Sequence, residues 1–384
     1  MKSYNDTHDL HIVYLITKLE LGGAQKVCLS LFNGLKESGY SSLLISGTQG
    51  PLAEQVRQNP FVYLMPTLTR EISLAGIYNE LKNFFHLIGY LKKLKKKYPH
   101  LIVHTHSTKA GLVGRWAALF AGIKRRVHTI HGYAFHPHQS YIPWLLIYFL
   151  ELITSLITTH FICVSSTDVQ TGIRLFPKFK YKYSIIRAAV DWDQFTTKNS
   201  SVIPEATDLF IIGTIACFKK QKNLTDLIKA FHVAYQKNRA LRLEIIGDGI
   251  LRNELEQLIA LYALQDVVTL HGWQKNVVPY MQKWHAFALT SLWEGLPCAI
   301  IEARLLKLPI LAYNTGGIHD VIISTKNGFL YNQKDWASMA QGMVELSTNK
   351  ELYNSMQNYN EDLFDYHATT MINNHIMLYK ELLF

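Results

Sequence analysis

Cysteine is scarce and scattered. Cys28, Cys163, Cys217 and Cys298 contain no Cys-x-x-Cys pair, which excludes a zinc ribbon, a dithiol redox motif and a disulfide scaffold and points to a reducing compartment. Eleven Pro and 22 Gly in 384 residues are too few for a collagen-like chain, and 48% hydrophobic residues against 18% charged exclude a largely disordered one. Long apolar runs are also lacking. The N-terminal MKSYNDTHDLHIVYLI turns apolar too late and too briefly for a signal-peptide core, so it reads as a cytosolic chain opening on a strand. The stretch 141–164, YIPWLLIYFLELITSLITTHFICV, is the one span candidate, but Pro143 and Glu151 interrupt it and FICVS reads as the next strand. What is left is shorter than the roughly 20 residues a span needs. A buried or partner-facing helix is expected, or an in-plane one with Trp144, Tyr148 and Phe149 at a headgroup boundary. Acidic residues are sparse in the first half. Residues 1–190 carry 22 Lys+Arg against 9 Asp+Glu, a net +13, whereas 191–384 carry −3. Charge alone leaves nucleic acid, anionic lipid and phosphorylated substrate open as partners.

Short β-branched runs alternate with helix-length stretches throughout. HIVYLI (11–16), SLLIS (42–46), FVYLM (61–65), LIVHTH (101–106), RVHTIH (126–131), HFICVS (160–165) and YSIIRA (183–188) predict buried parallel strands. The polar segment 191–208 breaks the pattern as a linker. LFIIGTIA (209–216), ALRLEIIG (240–247), VVTLHG (267–272), AFALTS (286–291), PILAY (309–313) and GFLY (328–331) then repeat it. Two Rossmann-like α/β domains follow, over 1–190 and 209–365, with a terminal helix in 366–384 able to pack back on the first.

Several constellations can carry chemistry. Gly22-Gly23 after the first strand opens a helix, a place where bare backbone amides approach phosphate, or simply a tight turn. Cys217 to Asn223 sets Lys219, Lys220 and Lys222 at the carboxyl edge of the second sheet, where such folds bind ligands. Glu294 and Glu302 stand eight positions apart, the second about two turns down a helix. Gly295 and Leu296 are expected to offer free amides at the helix start to a diphosphate, and the carboxylates to accept from sugar hydroxyls. Thr315-Gly316-Gly317 gives another turn. His128, His131, His136 and His138 lack an accompanying carboxylate or thiolate, so one catalytic histidine, His131, is preferred to zinc, a satisfied buried histidine being the alternative. Asp191-Trp192-Asp193 has the look of a metal-binding Asp-x-Asp but sits in the linker and is read as structural.

With these residues, and with Val190-Asp191, Phe195 and the Gly247-Asp248-Gly249 turn, the chain resembles retaining glycosyltransferases of family 4 along nearly its whole length. The segment from Glu294 through Gly295, Leu296 and Pro297 to Glu302 is the most specific carrier. The resemblance implies the GT-B architecture, two Rossmann-like domains with parallel sheets facing across a cleft. It also implies a nucleotide-diphosphate sugar, UDP-linked, held mainly by the second domain through Cys217, Lys222, Asn223, Gly247, Asp248, Glu294, Gly295, Leu296 and Glu302, with Gly22 and Gly23 as further donor contacts, an acceptor on the first domain, and no metal or other cofactor. By similarity Glu302 binds ribose, Glu294 faces the donor sugar, Lys222 neutralises the leaving phosphate and His131 contacts the sugar near the reacting carbon. Family members often carry arginine where this chain has Cys217, which shifts the phosphate load to Lys222, Lys219 and Lys220. HTHSTKAGLVGRWAALFAG (104–122) and HTIHGYAFH (128–136) resemble the subset that builds bacterial surface polysaccharide on glycan or lipid-linked acceptors, implying a cytoplasmic enzyme peripheral on the inner membrane face. A sugar-nucleotide hydrolase or 2-epimerase is the rival enzyme. A nucleic-acid binder is disfavoured because KKLKKK (92–97) has no interleaved stacking aromatics.

Overall fold

The computed structural model describes residues 10–66, 68, 77–196 and 209–383. The chain divides into two compact units, 1–189 with 365–384, and 190–364. Among the described residues the first unit has β1 (His11–Ile16), β2 (Ser41–Ser46), β3 (Val62–Leu64), β4 (Leu101–His106), β5 (Arg125–Ile130), β6 (His160–Cys163) and β7 (Tyr183–Ile185). All pair in parallel in the order β3-β2-β1-β4-β5-β6-β7. The second unit has β8 (Phe210–Ile215), β9 (Leu241–Ile246), β10 (Val268–Gly272), β11 (Ala286–Leu289), β12 (Ile310–Tyr313) and β13 (Gly328–Tyr331), again parallel, in the order β10-β9-β8-β11-β12-β13.

Both sheets follow from composition. Strands buried on both faces need uninterrupted apolar runs, and β1 and β4 are buried along almost their whole length. Helices cover both faces because a parallel connection must cross over the sheet. In the first unit Val13, Leu15, Val103, Leu91 and Ala117 belong to one core cluster. In the second, Ile212, Leu243, Phe231, Ala288 and Met343 do so. The strands from FVYLM and YSIIRA are shorter than their apolar runs, three residues each, because they are outer strands of the sheet with one paired neighbour.

The chain enters the second unit at Val190, before the short helix Trp192–Thr196, and returns to the first at Asp365. The rest of the expected linker, 197–208, lies outside the described residues. The last helix, Ala368–Glu381, packs on Gly23–Glu37. Its Tyr379 hydroxyl shares a hydrogen bond with that of Tyr14 at 3.1 Å, and the Arg125 guanidinium donates to the carbonyls of Leu382 and Leu383 at 2.6 Å each.

Candidate active site

In the second sheet β9 and β11 flank β8, so the connections leaving β8 and β11 run to opposite faces and part at their carboxyl ends. Such a switch point leaves a crevice for ligand. Residues 216–223 leave β8 and residues 290–297 leave β11. The two loops are stitched together: the Leu292 amide donates to the Gln221 carbonyl at 2.8 Å, and Gln221 Nε2 donates to the Trp293 carbonyl at 2.7 Å. Thr290 Oγ1 donates to the carbonyls of Lys222 and Asn223 at 3.1 and 3.0 Å. Held this way, Lys222 Nζ forms an ion pair with Glu294 Oε1, with the two side chains only 17% and 9% exposed. Asn223 takes a left-handed backbone, φ 48°, to start the helix Leu224–Lys237, and its Nδ2 donates to Asp226 Oδ2 at 2.7 Å.

Glycine turns from β9 and β12 brace these loops backbone to backbone. Gly247 has φ 133°, and a Cβ there would lie 2.0 Å from the Ala216 carbonyl oxygen. Gly316 has φ 56°, and its Cβ would lie 2.2 Å from the Glu294 carbonyl oxygen. No L side chain satisfies either position without moving the loop it rests on. The Phe218 amide donates to the Asp248 carbonyl at 2.9 Å, and the Gly317 amide to the Gly295 carbonyl at 2.6 Å. Asp248 itself is engaged locally, accepting from the Gly249 amide at 2.7 Å and from Arg252 at 3.0 Å.

Two expectations need correcting. The helix after β11 is Cys298–Leu305 with Pro297 as its N-cap. Glu302 therefore stands just past its first turn, not two turns in. Gly295 and Leu296 precede the cap, so their amides belong to the loop and not to the helix start; Pro297 fixes the chain extended for one more step. Sequence reasoning missed what locks this helix: buried Arg304 forks onto Glu361 through Nε at 2.5 Å and Nη2 at 3.0 Å. Cys217 is a half-buried free thiol. Lys219 and Lys220 line a cavity of about 330 Å³ together with Phe218, Asn223 and Glu254. Asp191 and Asp193 lie exposed at the start of Trp192–Thr196. Among the described residues no three His, Cys, Asp or Glu side chains gather as metal ligands.

In the first sheet the switch point falls at β1 and β4, whose ends are tied by a 2.7 Å hydrogen bond between the hydroxyls of Thr17 and Ser107. Gly22 is the N-cap of Gly23–Glu37 with ordinary extended backbone, φ −116°. The glycine pair and His131 leave β1 and β5, strands separated by β4. His131 Nε2 instead meets His106 Nδ1, at the end of β4, at 2.9 Å. Burial, reinforced by the neighbouring His375 ring, pushes His131 down to about 4. Burial likewise holds His106 well below the ordinary histidine value, with His131 and His375 adding to it. Both rings are neutral near pH 7, so one donates to the other and the bond fixes both tautomers together. The His106 Nε2 atom is buried, with no hydrogen-bond partner among the described residues. Beneath it His104 bonds Tyr379 at 2.5 Å and Thr129 at 2.7 Å. His128 is buried in β5 against Thr105 at 2.9 Å. Sequence reasoning missed His104 and His106, although spacing by two on one strand put both on one sheet face.

Two parallel α/β units of this kind, each with its loops gathered at a switch point, are the GT-B architecture of nucleotide-sugar glycosyltransferases. Anabaena HepE, solved with UDP, superposes with a TM-score of 0.79 at 17% identity, covering 97% of this chain and 100% of that one. The model for Glycosyltransferase Family 4 matches residues 21–194, and that for Glycosyl transferases group 1 matches 195–363. The Escherichia coli UDP-Gal:alpha-D-GlcNAc-diphosphoundecaprenol alpha-1,3-galactosyltransferase is 30% identical over 341 residues, 86% of either chain. The capsular polysaccharide glycosyltransferase CapM of Staphylococcus aureus is 22% identical over 77% of either. The chain belongs to the family 4 glycosyltransferases.

Proposed function

We propose that the protein moves a hexosyl or N-acetylhexosaminyl group from a UDP-sugar to a lipid-diphosphate-linked glycan, with retained anomeric configuration and without a metal, in assembly of a bacterial surface polysaccharide. The observation that carries this reading is the Lys222–Glu294 pair at the second switch point, framed by loops from four adjacent strands. A departing nucleotide diphosphate builds negative charge while the sugar becomes oxocarbenium-like. Fixed donors already in place lower that barrier without reorganisation. Lys222 is the cation for the diphosphate, and Lys219 and Lys220 line the adjoining cavity. Glu294 holds the ammonium in place and accepts from donor-sugar hydroxyls, and Glu302 accepts from ribose, its helix clamped by Arg304 and Glu361. The loop amides of Gly295 and Leu296 and the turn of Gly247 and Asp248 complete the donor side. His131 contacts the sugar, and Gly22 and Gly23 are further donor-side contacts.

The lipid-linked acceptor and the UDP donor are supported by the activity in the name of the Escherichia coli relative and by the UDP-glucose complex of HepE. Thermal shift against a panel of nucleotides tests the donor half. A ligand at about 100 times its dissociation constant adds about 2.7 kcal/mol. UDP and one UDP-sugar are expected to raise the melting temperature, ADP and GDP to leave it unchanged. No stabilisation by any nucleoside diphosphate would remove the donor assignment.

A further inference from the structure

Past β5 the chain turns at Gly132, φ 98°, and the residues around that turn wall a cavity of about 50 Å³. Its rim is only partly buried and sits at the carboxyl ends of two strands, with Ser107 and Thr108 after β4 and His131 after β5. Its depths, Phe135, Phe161, Phe176 and Glu151, are buried. A partly open rim over a closed floor makes a socket entered from the carboxyl edge of the first sheet. The socket is held in shape. The Phe135 and Phe176 rings meet edge to face at 6.1 Å, Tyr133 lies 4.9 Å from Phe135, and its hydroxyl donates to the Asp168 carbonyl at 3.2 Å. Glu151 comes from the helix Tyr141–Ile157, which is seated by its polar face and leaves Leu146 and Ile153 exposed. From the helix Thr108–Phe120, Arg115 Nη2 donates to Glu151 Oε2 at 2.8 Å and Trp116 Nε1 to Thr154 Oγ1 at 2.9 Å.

Size decides first what can enter. A cavity of about 150 Å³ takes a benzene-sized ring, so one a third as large admits no sugar ring, only a substituent of about three heavy atoms. Charge decides next. Glu151 is neutralised by Arg115. Burial, with Arg115 beside it, holds His128 well below the ordinary histidine range, and burial pushes the Tyr133 phenol well up. Neither is charged near pH 7, so a carboxylate or ammonium on the substituent would be buried without a counter-ion. The walls then divide in two: three phenyl rings on one side, and on the other the Glu151 carboxylate and the Tyr133 oxygen, which keep lone pairs to accept with. A lone hydroxyl leaves the rings uncovered, and the bare methyl of a deoxysugar leaves the polar atoms unpaired. We propose that this socket receives the acetamido group of an N-acetylated sugar in the glycan acceptor, its methyl against Phe135, Phe161 and Phe176 and its N–H toward Glu151 and Tyr133. The cavity lies wholly in the first unit, whereas the donor residues lie mainly in the second.

This inference rests on the glycan-acceptor reading, but its readout needs neither donor nor turnover. Saturation-transfer NMR on the full chain compares the methyl α-glycosides of N-acetylglucosamine and N-acetylgalactosamine with those of glucose and galactose. An N-acetylated probe is expected to bind at least about tenfold more tightly than its hydroxyl counterpart, with the strongest saturation on the acetyl methyl. Extending the acyl group from acetyl to butanoyl is expected to cancel that gain, because the walls have no room left. Ala134 also lines the cavity, and Ala134→Leu is expected to remove the preference with circular dichroism and melting temperature unchanged. Should that variant misfold, the acyl series on the wild-type chain decides alone. Equal binding of acetamido and hydroxyl probes overturns the proposal, as does saturation of none of them, a butanoyl probe as good as the acetyl one, or full preference in folded Ala134→Leu. Displacement of the probe by a UDP-N-acetylhexosamine but not by UDP or a UDP-hexose assigns the acetamido group to the donor sugar and overturns it too. Absence of transfer to any lipid-linked acceptor, with the preference intact, counts against the transfer reading and leaves the socket standing.

Discussion

Replacing Lys222 by alanine separates its ion pair with Glu294 from the phosphate-binding role proposed for it. The ammonium is paired with Glu294, whose side chain is only 9% exposed. Removing one member of a fully buried pair costs about 3–5 kcal/mol because the other charge is stranded. Lys222 keeps 17% exposure, and allowance for solvent screening lowers the expected cost to about 2–3 kcal/mol. For a unit of this size that is a fall in melting temperature of about 5–10 °C. Adding Glu294→Gln removes the stranded charge and is expected to restore most of that loss, whatever happens to catalysis. The second role is read by calorimetric titration with UDP and with uridine. A lost charge-assisted hydrogen bond is worth about 1.5–3 kcal/mol, so UDP affinity of Lys222→Ala should fall by about ten- to a hundredfold while uridine affinity holds. Equal loss for both ligands would reduce Lys222 to a structural strut. Unchanged UDP affinity would move the phosphate site, with Lys219 and Lys220 next in line.

Three further outcomes follow from the same geometry. Glu302→Ala should weaken UDP by about 1.5–3 kcal/mol in a folded protein, by loss of a ribose acceptor, and undiminished affinity in titration contradicts that role. His131→Ala should lower turnover far more than donor affinity, and His106→Ala should do the same to a lesser degree by freeing the His131 tautomer; steady-state kinetics with unchanged kcat for both would return the pair to a structural role. Burial depresses His375 from 6.5 to about 4. An unfolded chain then binds a proton that the folded one refuses, so stability falls as pH drops from about 6.5 towards 4, by about 3 kcal/mol from this group. Urea melts at pH 7, 5.5 and 4.5 read the loss, and a flat profile refutes it.

Much of the fold was legible because parallel strands buried on both faces leave unbroken apolar runs such as LIVHTH and LFIIGTIA, and their alternation with helix-length stretches admits few topologies. The second-unit loops were legible as motifs for a related reason: Gly247 and Gly316 occupy positive φ against a neighbouring carbonyl, a constraint that glycine alone meets. What stayed hidden was pairing across strands. Lys222 and Glu294 are 72 positions apart and meet only once β11 is seated beside β8. His106 and His131 meet only through the β4–β5 register, and Arg304 finds Glu361 57 positions on. The helix Tyr141–Ile157 shows the same limit. Its apolar composition reads identically whether its stripe faces inward or outward, and the direction was set by Arg115 and Trp116 on a neighbouring helix.

The central claim is the proposed transfer from a UDP-sugar by the residues gathered at the second switch point, and incubation of labelled UDP-sugars with a panel of lipid-diphosphate-linked glycan acceptors tests it most directly. The account predicts labelled lipid product only when donor and acceptor are both present, an anomeric configuration matching the donor by NMR, and loss of that product with Lys222→Ala. Release of free sugar or an epimerised nucleotide sugar without acceptor, and no labelled lipid with it, would contradict it.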